Sequence, residues 1–205
     1  MNIIELKREQ LKLSRKVESR DSFNKVKTLG GVVCIQSGSG LLASVVVCEF
    51  PSLKIKENKT YLLNNPLPYK QDFQAYREMP AMIEAVNLLE EEPDVLLVKG
   101  AGILHPRRLG IASHLGLALN IPTIGVQDKL LIGNVENGKI LLGNEVAGFE
   151  MKTKEFSNPL YVSPGHLISS GTVLNIISKT IIPPHKKPEP LHLANKIGRK
   201  KVKGK

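Results

Sequence analysis

The residues best suited to chemistry are concentrated in one stretch, Lys99-Gly100-Ala101-Gly102-Ile103-Leu104-His105-Pro106-Arg107-Arg108. Gly100 and Gly102 suit either a turn that needs positive φ or a backbone that must pass close to a ligand such as an extruded base. Arg107 and Arg108 suit contacts to phosphate, which position a nucleic acid without reading its sequence. His105, and His166 in Ser163-Pro164-Gly165-His166, are groups that can titrate near neutrality, although an isolated loop histidine is commonly a hydrogen-bonded structural residue. His114 reads as a helix-packing or capping residue. Pro68-Tyr69 offers a ring that could stack on a base or lie half buried. Glu78, in Tyr76-Arg77-Glu78, reads by itself as a salt-bridge partner rather than a metal ligand.

These residues need a frame. Val95 to Val98 is a continuous apolar run of the kind found in strands covered on both faces, and it leads directly into Lys99. Leu109 to Leu119 reads as a helix and Ile121 to Val126 as a second buried strand, which gives β-α-β order with a parallel connection. Ligands in such sheets sit in the loops leaving the carboxyl ends of the strands, so the segments after Val98 and Val126 are the expected site. Upstream, Ile3 to Val17 has helical spacing, Val32 to Ile35 and Leu41 to Cys48 read as a hairpin, and Lys54 to Leu63 as its third strand. The intervening Ser37-Gly38-Ser39-Gly40 lacks the Lys-Ser/Thr ending and the following helix of a phosphate loop. Phe73 to Glu91 reads as a helix interrupted early by Pro80. Further strands are expected at Lys139 to Leu142, Val146 to Met151 and Pro159 to Val162, with a helix from Ser169 to Lys179. From Pro183 onward the chain reads as a Pro- and Lys-rich tail.

Composition sets outer limits. A chain of 205 residues with 41% hydrophobic content can bury one sizeable core, so a single α/β domain is expected over residues 1–195. The formal charge of +10, from 29 Lys and Arg against 19 Asp and Glu, favours a polyanionic partner. Residues 196–205 hold six Lys or Arg and no acid, and read as a basic, disordered tail. Cys34 and Cys48 lie in apolar runs and read as free thiols of a reducing compartment. No apolar run approaches the roughly 20 residues of a membrane span, and charges appear too early for a signal peptide, so a soluble, cytoplasmic monomer is expected. With five Phe, four Tyr and no Trp, an extended base-stacking platform is not expected.

The stretch from Lys99 to Gly116 closely resembles the endonuclease V signature, in which Asp-Gly-x-Gly-x-x-His-Pro-Arg runs into a Leu-Gly-x-Ala-Ser-His helix. Phe50-Pro51-Ser52-Leu53, Pro68-Tyr69, Tyr76-Arg77-Glu78, Pro122-Thr123-Ile124-Gly125-Val126, Ser163-Pro164-Gly165-His166 and Pro188-Glu189-Pro190 follow in the family's order, so the resemblance spans about Gly30 to Ala194. It implies a ribonuclease H-like mixed sheet flanked by helices, and a Mg²⁺-dependent enzyme that cleaves one phosphodiester bond near inosine in DNA or RNA. Three acids carry that chemistry in the family, since Mg²⁺ takes oxygen ligands. Glu78 matches the middle acid, but Val33 and Lys99 stand where the family places the other two. No nearby acid replaces them: none lies between Asp21 and Glu49, and Asp94 is at the far end of its strand. Asp128 stands at the family's catalytic lysine, with Lys129 beside it as a possible substitute, and His105 and His166 match histidines near the scissile phosphate. The family's strand-separating wedge keeps Pro68-Tyr69 but continues Lys70-Gln71-Asp72. The implied protein binds DNA or RNA, possibly containing inosine, with Mg²⁺ binding weak or absent and cleavage lost or strongly impaired. The alternatives are a nuclease using Glu78, Asp128 and a histidine as an altered metal site, and a structural or protein-interaction role.

Overall fold

The computed structural model describes residues 2–204, in the order α1 (Ile3–Ser14), β1 (Thr28–Ser37), β2 (Gly40–Glu49), β3 (Ile55–Leu63), α2 (Gln74–Asn87), β4 (Val95–Lys99), α3 (Ile111–Leu119), β5 (Thr123–Gln127), β6 (Asn134–Glu136), β7 (Lys139–Leu142), β8 (Glu145–Met151), β9 (Leu160–His166), α4 (Ser170–Thr180) and α5 (Glu189–Lys203). The strands form one nine-stranded mixed sheet ordered β3-β2-β1-β4-β5-β9-β8-β7-β6. β1 to β3 are an antiparallel meander, and Ser37 pairs with Gly40 across a tight turn in which Gly38 has φ 58°. β1, β4 and β5 are parallel, and β9 returns antiparallel to β5.

Both faces of the parallel centre are covered, which explains why its strands are apolar without alternation. Leu29, Val33, Val95, Leu97, Ile124 and Val126 pack with residues of α4 and α5. Val32, Leu96 and Val98 point to the other face and pack with α2 and α3. Asp94, at the amino end of β4, accepts hydrogen bonds from the Lys27 and Thr28 amides, so it holds the strand ends together and is remote from the chemistry.

Several elements depart from the sequence expectation. α2 continues through Pro80, α1 ends at Ser14, β9 extends to His166, and β6 is a short edge strand. The largest departure is at the end of the chain. Residues 196–203 are not a disordered tail; they complete α5, while Lys205 lies outside the described residues. α5 buries Leu191, Ala194 and Gly198, a spacing of three and four residues that keeps one face on the sheet. Its close seating needs two glycines. A Cβ on Gly31 would stand 2.3 Å from the Pro190 carbonyl carbon, and one on Gly198 would stand 2.6 Å from Ile35 Cδ1.

Gly31→Ala is therefore expected to push α5 off β1 and to destabilise the protein by about 2 kcal/mol, the middle of the range for overpacking. For a chain of this length that lowers the Tm by about 4–8 °C. Thermal unfolding followed by circular dichroism measures this, and an unchanged Tm would contradict the close-seating account.

Candidate functional site

The register of β1 on β4 ends at Val32 beside Val98, so Val33 and Lys99 are the next residues of two neighbouring strands. Val33 is 1% exposed within the apolar cluster beneath α5. Lys99 closes β4 and lines the adjoining cleft. Glu78 approaches from α2, and burial pushes its carboxyl above the ordinary range against a Gln74 hydrogen bond and the Lys99 and Arg77 charges. Lys99 attracts Glu78 across this gap, yet among the described residues neither joins an ion pair within 4.0 Å. Arg77 is occupied elsewhere: it donates to the Leu67 carbonyl and, at 2.7 Å, to Gln36 Oε1, bracing the loop that carries Pro68 and Tyr69.

On the other side of Lys99, Asp128 follows β5. Lys186 Nζ lies 3.3 Å and Lys187 Nζ 3.8 Å from its carboxylate oxygens. Burial alone would raise the Asp128 carboxyl, but Lys187, Lys186 and Lys99 outweigh it and hold the group below the ordinary carboxylate range. The Lys187 ammonium is itself lowered, first by burial and then by Lys99.

A divalent cation does not fit these residues. Of the three positions that the resemblance assigns to metal-binding acids, Glu78 offers an oxygen, Val33 is a buried valine, and Lys99 brings a cation where positive charge would have to be added. At an effective dielectric of about 20, each unit charge about 4 Å from a dication costs roughly 8 kcal/mol. Among the described residues, no group of three or more His, Cys, Asp or Glu is arranged to hold a metal. Asp128 is engaged by Lys186 and Lys187, whereas the Glu78 carboxyl hydrogen-bonds with Gln74.

The cleft beside Lys99 has a volume of about 290 Å³ and is lined by Gln10, Tyr69, Gln71, Asp72, Gln74, Gly100, Ala101, His105, Leu109, Gly110, Ile111, Gln127, Asp128, Lys129 and Leu131, among others. Gly100 has φ 145°, and a Cβ there would stand 2.3 Å from Ile111 Cγ2, so both backbone and space require glycine. Tyr69 is 67% exposed at the mouth, and Lys129 is an exposed rim residue. Gln127 is 8% exposed, and its Nε2 finds no hydrogen-bond partner among the described residues.

One wall is set by the carbonyl of Asp72, a residue with φ 65°. That oxygen accepts from Gln10 Nε2 at 2.9 Å, from His105 Nε2 at 3.1 Å and from Arg107 Nη2 at 3.2 Å. His105 Nδ1 in turn accepts from the Arg107 amide at 3.3 Å, which assigns the ring proton to Nε2. With both nitrogens used and the ring 3% exposed, burial first and the Arg107 charge second push its pKa down to about 4. His105 is thus a neutral wall of the cleft.

The remaining expected residues are not gathered there. Arg107 also donates to Gln10 Oε1 and stacks 5.0 Å above the Phe73 ring, so its guanidinium is used internally. Arg108 pairs with Glu145 at 3.0 Å. Gly102 sits where a Cβ would meet the Pro164 carbonyl oxygen at 2.1 Å, so it serves loop packing on β9. His166 pairs with Thr123, at the opposite end of β5 from Gln127, roughly 13 Å away at 3.3 Å per residue. Its Nδ1 accepts from the Glu18 amide at 3.2 Å, which ties down the segment after α1. Pro68 is exposed beside Tyr69. Gln10, Gln74, Gln127, Lys186 and Lys187 were not singled out from the sequence. Helical spacing from Leu6 to Leu13 puts Gln10 on the inner face of α1, which was the available signal for that residue.

An antiparallel β1–β3 meander with β4 and β5 added parallel to β1, in the order β3-β2-β1-β4-β5, and helices on both faces is a ribonuclease H-like fold. The Endonuclease V family model matches residues 11–196. Endonuclease V of Dictyoglomus thermophilum is 36% identical over 199 residues, covering 93% of this chain and 87% of that protein. Endonuclease V of Thermofilum pendens is 38% identical over 195 residues, covering 92% and 84%. The catalytic domain of human endonuclease V superposes with TM-score 0.86 at 30% identity, covering 98% of this chain and 96% of that one. An endonuclease V from Ciona intestinalis, in complex with a 23mer DNA containing an inosine, superposes with TM-score 0.88 at 30% identity, covering 98% and 97%. The chain belongs to the endonuclease V family.

The neutral His105 predicts a pH dependence of stability. Its pKa falls from about 6.5 unfolded to about 4 folded, so the unfolded chain takes up the proton first. The contribution is complete above pH 6.5 and is lost as pH falls toward 4, amounting to about 3 kcal/mol at 1.36 kcal/mol per pH unit. His114, His166 and His192 are also lowered and add the same sign. His105→Gln should flatten the dependence of unfolding free energy on pH between 6.5 and 4; an equally steep profile would show that His105 is not held neutral.

Proposed function

We propose that this protein binds inosine-containing DNA or RNA through the cleft beside Lys99 and that its phosphodiester cleavage is lost or strongly impaired. The observation that carries the proposal is that a buried valine, Val33, and Lys99 stand side by side at the ends of β1 and β4, the two positions that the resemblance assigns to acids of the family. Glu78 alone offers no metal set, and Lys99 supplies one positive charge toward a phosphate without the ability to lower the pKa of bound water. The binding half of the family apparatus is better kept. Gly100 still requires glycine, Tyr69 stands at the mouth where a base would stack, and the cleft is concave, part apolar and bordered by Lys129. The Ciona relative in complex with inosine-containing DNA supports inosine as the base to test first.

Binding to labelled inosine-containing DNA and RNA is expected to persist when Mg²⁺ is removed by a chelator, with no nicking in Mg²⁺ or Mn²⁺. Loss of binding on chelation would contradict the reading, as would metal-dependent nicking by the unaltered protein that Glu78→Ala abolishes.

Restoring the acids gives a second test. Val33→Asp with Lys99→Asp should add two oxygen ligands beside Glu78 and remove the opposing cation, giving Mg²⁺-dependent nicking above the unaltered protein. Val33→Asp alone leaves a buried carboxylate facing Lys99 and should gain little; Lys99→Asp alone still lacks one ligand. The gain is therefore expected to be strongly non-additive. Equal nicking by a single variant and the double variant would show that the two positions do not act as one site.

A further inference from the structure

The ordered end of the chain changes what its basic residues can do. Lys196, Arg199, Lys200 and Lys203 fall at intervals of three, four and seven residues on α5, so they share one exposed face. Together with Gly204 they line an open groove of about 520 Å³ that contains no acid. Among the described residues none of the four makes an ion pair; the polar contact of Arg199 is with Asn195 Oδ1 at 3.4 Å. The helix dipole places about half a negative charge at this end, and four full cations outweigh it.

The helix carrying the groove also packs on the strand that ends at the cleft. Gly198, on the opposite face of the same turn, packs on Ile35 near the carboxyl end of β1, the end at which Val33 and Lys99 lie. Arg199 is within electrostatic reach of Lys187, and Lys187 of Lys99, which lines the cleft. Arg199, Lys187 and Lys99 thus lie in turn within charge-coupling range of one another, with Asp128 paired to Lys187 among them.

We propose that this basic face of α5 is a phosphate track for the strand whose base occupies the cleft, with Lys99 and Lys187 bridging the cleft to the helix. The proposal rests on the nucleic-acid reading above and adds to it the path of the bound strand. From residue 196 to residue 203 the helix rises about 10 Å at 1.5 Å per residue, so its four cations can face about two to three successive phosphates of one strand. A track of this kind touches phosphate alone, so it contributes equally to strands with and without inosine.

The test replaces Lys196, Arg199, Lys200 and Lys203 with Gln and measures the affinity of the full chain for labelled single-stranded oligonucleotides, with and without inosine, by fluorescence anisotropy from 50 to 200 mM salt. All four side chains are exposed, and circular dichroism checks that the helix is retained. Each phosphate that is no longer neutralised should flatten the slope of log K against log salt by about 0.7. With about two to three phosphates on the track, the slope should change by about 1.4–2.1, and affinity should fall by the same factor on both oligonucleotides. A control with Lys25, Lys54, Lys139 and Lys179 replaced by Gln carries the same net charge and should keep the original slope. A third variant, with Lys196, Lys200 and Lys203 replaced by Arg, should keep it as well. An unchanged slope in the first variant, or equal flattening in the control, would overturn the track while leaving nucleic-acid binding intact. Competition by oligoglutamate as effective as that by oligonucleotide would overturn it in favour of an acidic peptide. Absence of nucleic-acid binding by the unaltered chain would remove both the track and the function it rests on.

Discussion

Parallel pairing of β1 with β4 is the constraint on which the rest of the molecule depends. The crossover connections that parallel strands require place helices on the faces of the sheet, so both faces of these strands are apolar, and α2 and α5 cover them from opposite directions. The same register brings the residues after Val32 and Val98 together at the strand ends. Their chemistry is consequently coupled. Two carboxylates there would repel one another unless a cation lay between them, and one carboxylate beside a buried valine would face a half-built site. Lysine at one position and valine at the other resolves both problems with protein groups alone: the valine joins the apolar cluster, and the ammonium is balanced by Glu78 on one side and Asp128 on the other.

The cleft next to this pair is held by a different device, a single carbonyl. Asp72 adopts φ 65°, which turns its oxygen toward three donors from α1 and from the loop after β4. Each donor is buried or half buried, so removing the acceptor would strand polar groups away from water at a cost of about 1–3 kcal/mol each. The consequence is a division of labour along the loop. Its base, at Asp72 and Phe73, is rigidly tied, while Tyr69 a few residues earlier remains exposed.

The chemistry-bearing stretch and the β-α-β unit around it were legible because two signals coincided: a continuous apolar strand, Val95 to Val98, and glycines at the turn that follows. Placement across the sheet was not. His166 lies in a motif of the right order, but the antiparallel return of β9 sets it opposite Thr123, at the wrong end of β5, and order along a chain does not reveal which end of a strand faces a site. Arg107 and Arg108 looked free because their partners Gln10, Asp72 and Glu145 are distant in sequence. α5 was obscured by composition. Pro188, Pro190 and the Lys-rich end resemble a solvated tail, although Pro190 sits in the first turn, where proline is tolerated, and Leu191, Ala194 and Gly198 carry a helical period. Gly198 gives no helix signal of its own, since glycine weakens a helix in isolation, and its value appears only where it packs on Ile35.

A fixed ammonium and a divalent metal differ in which state of a phosphodiester they favour. The bound diester carries one negative charge, and Lys99 with Lys187 can neutralise it in the ground state. The transition state of hydrolysis adds charge to the phosphoryl oxygens and needs a deprotonated water, which a metal provides by binding both and a lysine does not. Binding ground state and transition state equally well raises affinity without raising rate. Under the proposed reading, exchanging two carboxylates and a metal for Val33 and Lys99 therefore retains a grip on phosphate while removing the differential that drives cleavage. The flanking acids keep the exchange stable: without Glu78 and Asp128, two half-buried cations near one another would oppose folding, and with them the site is balanced before any ligand arrives.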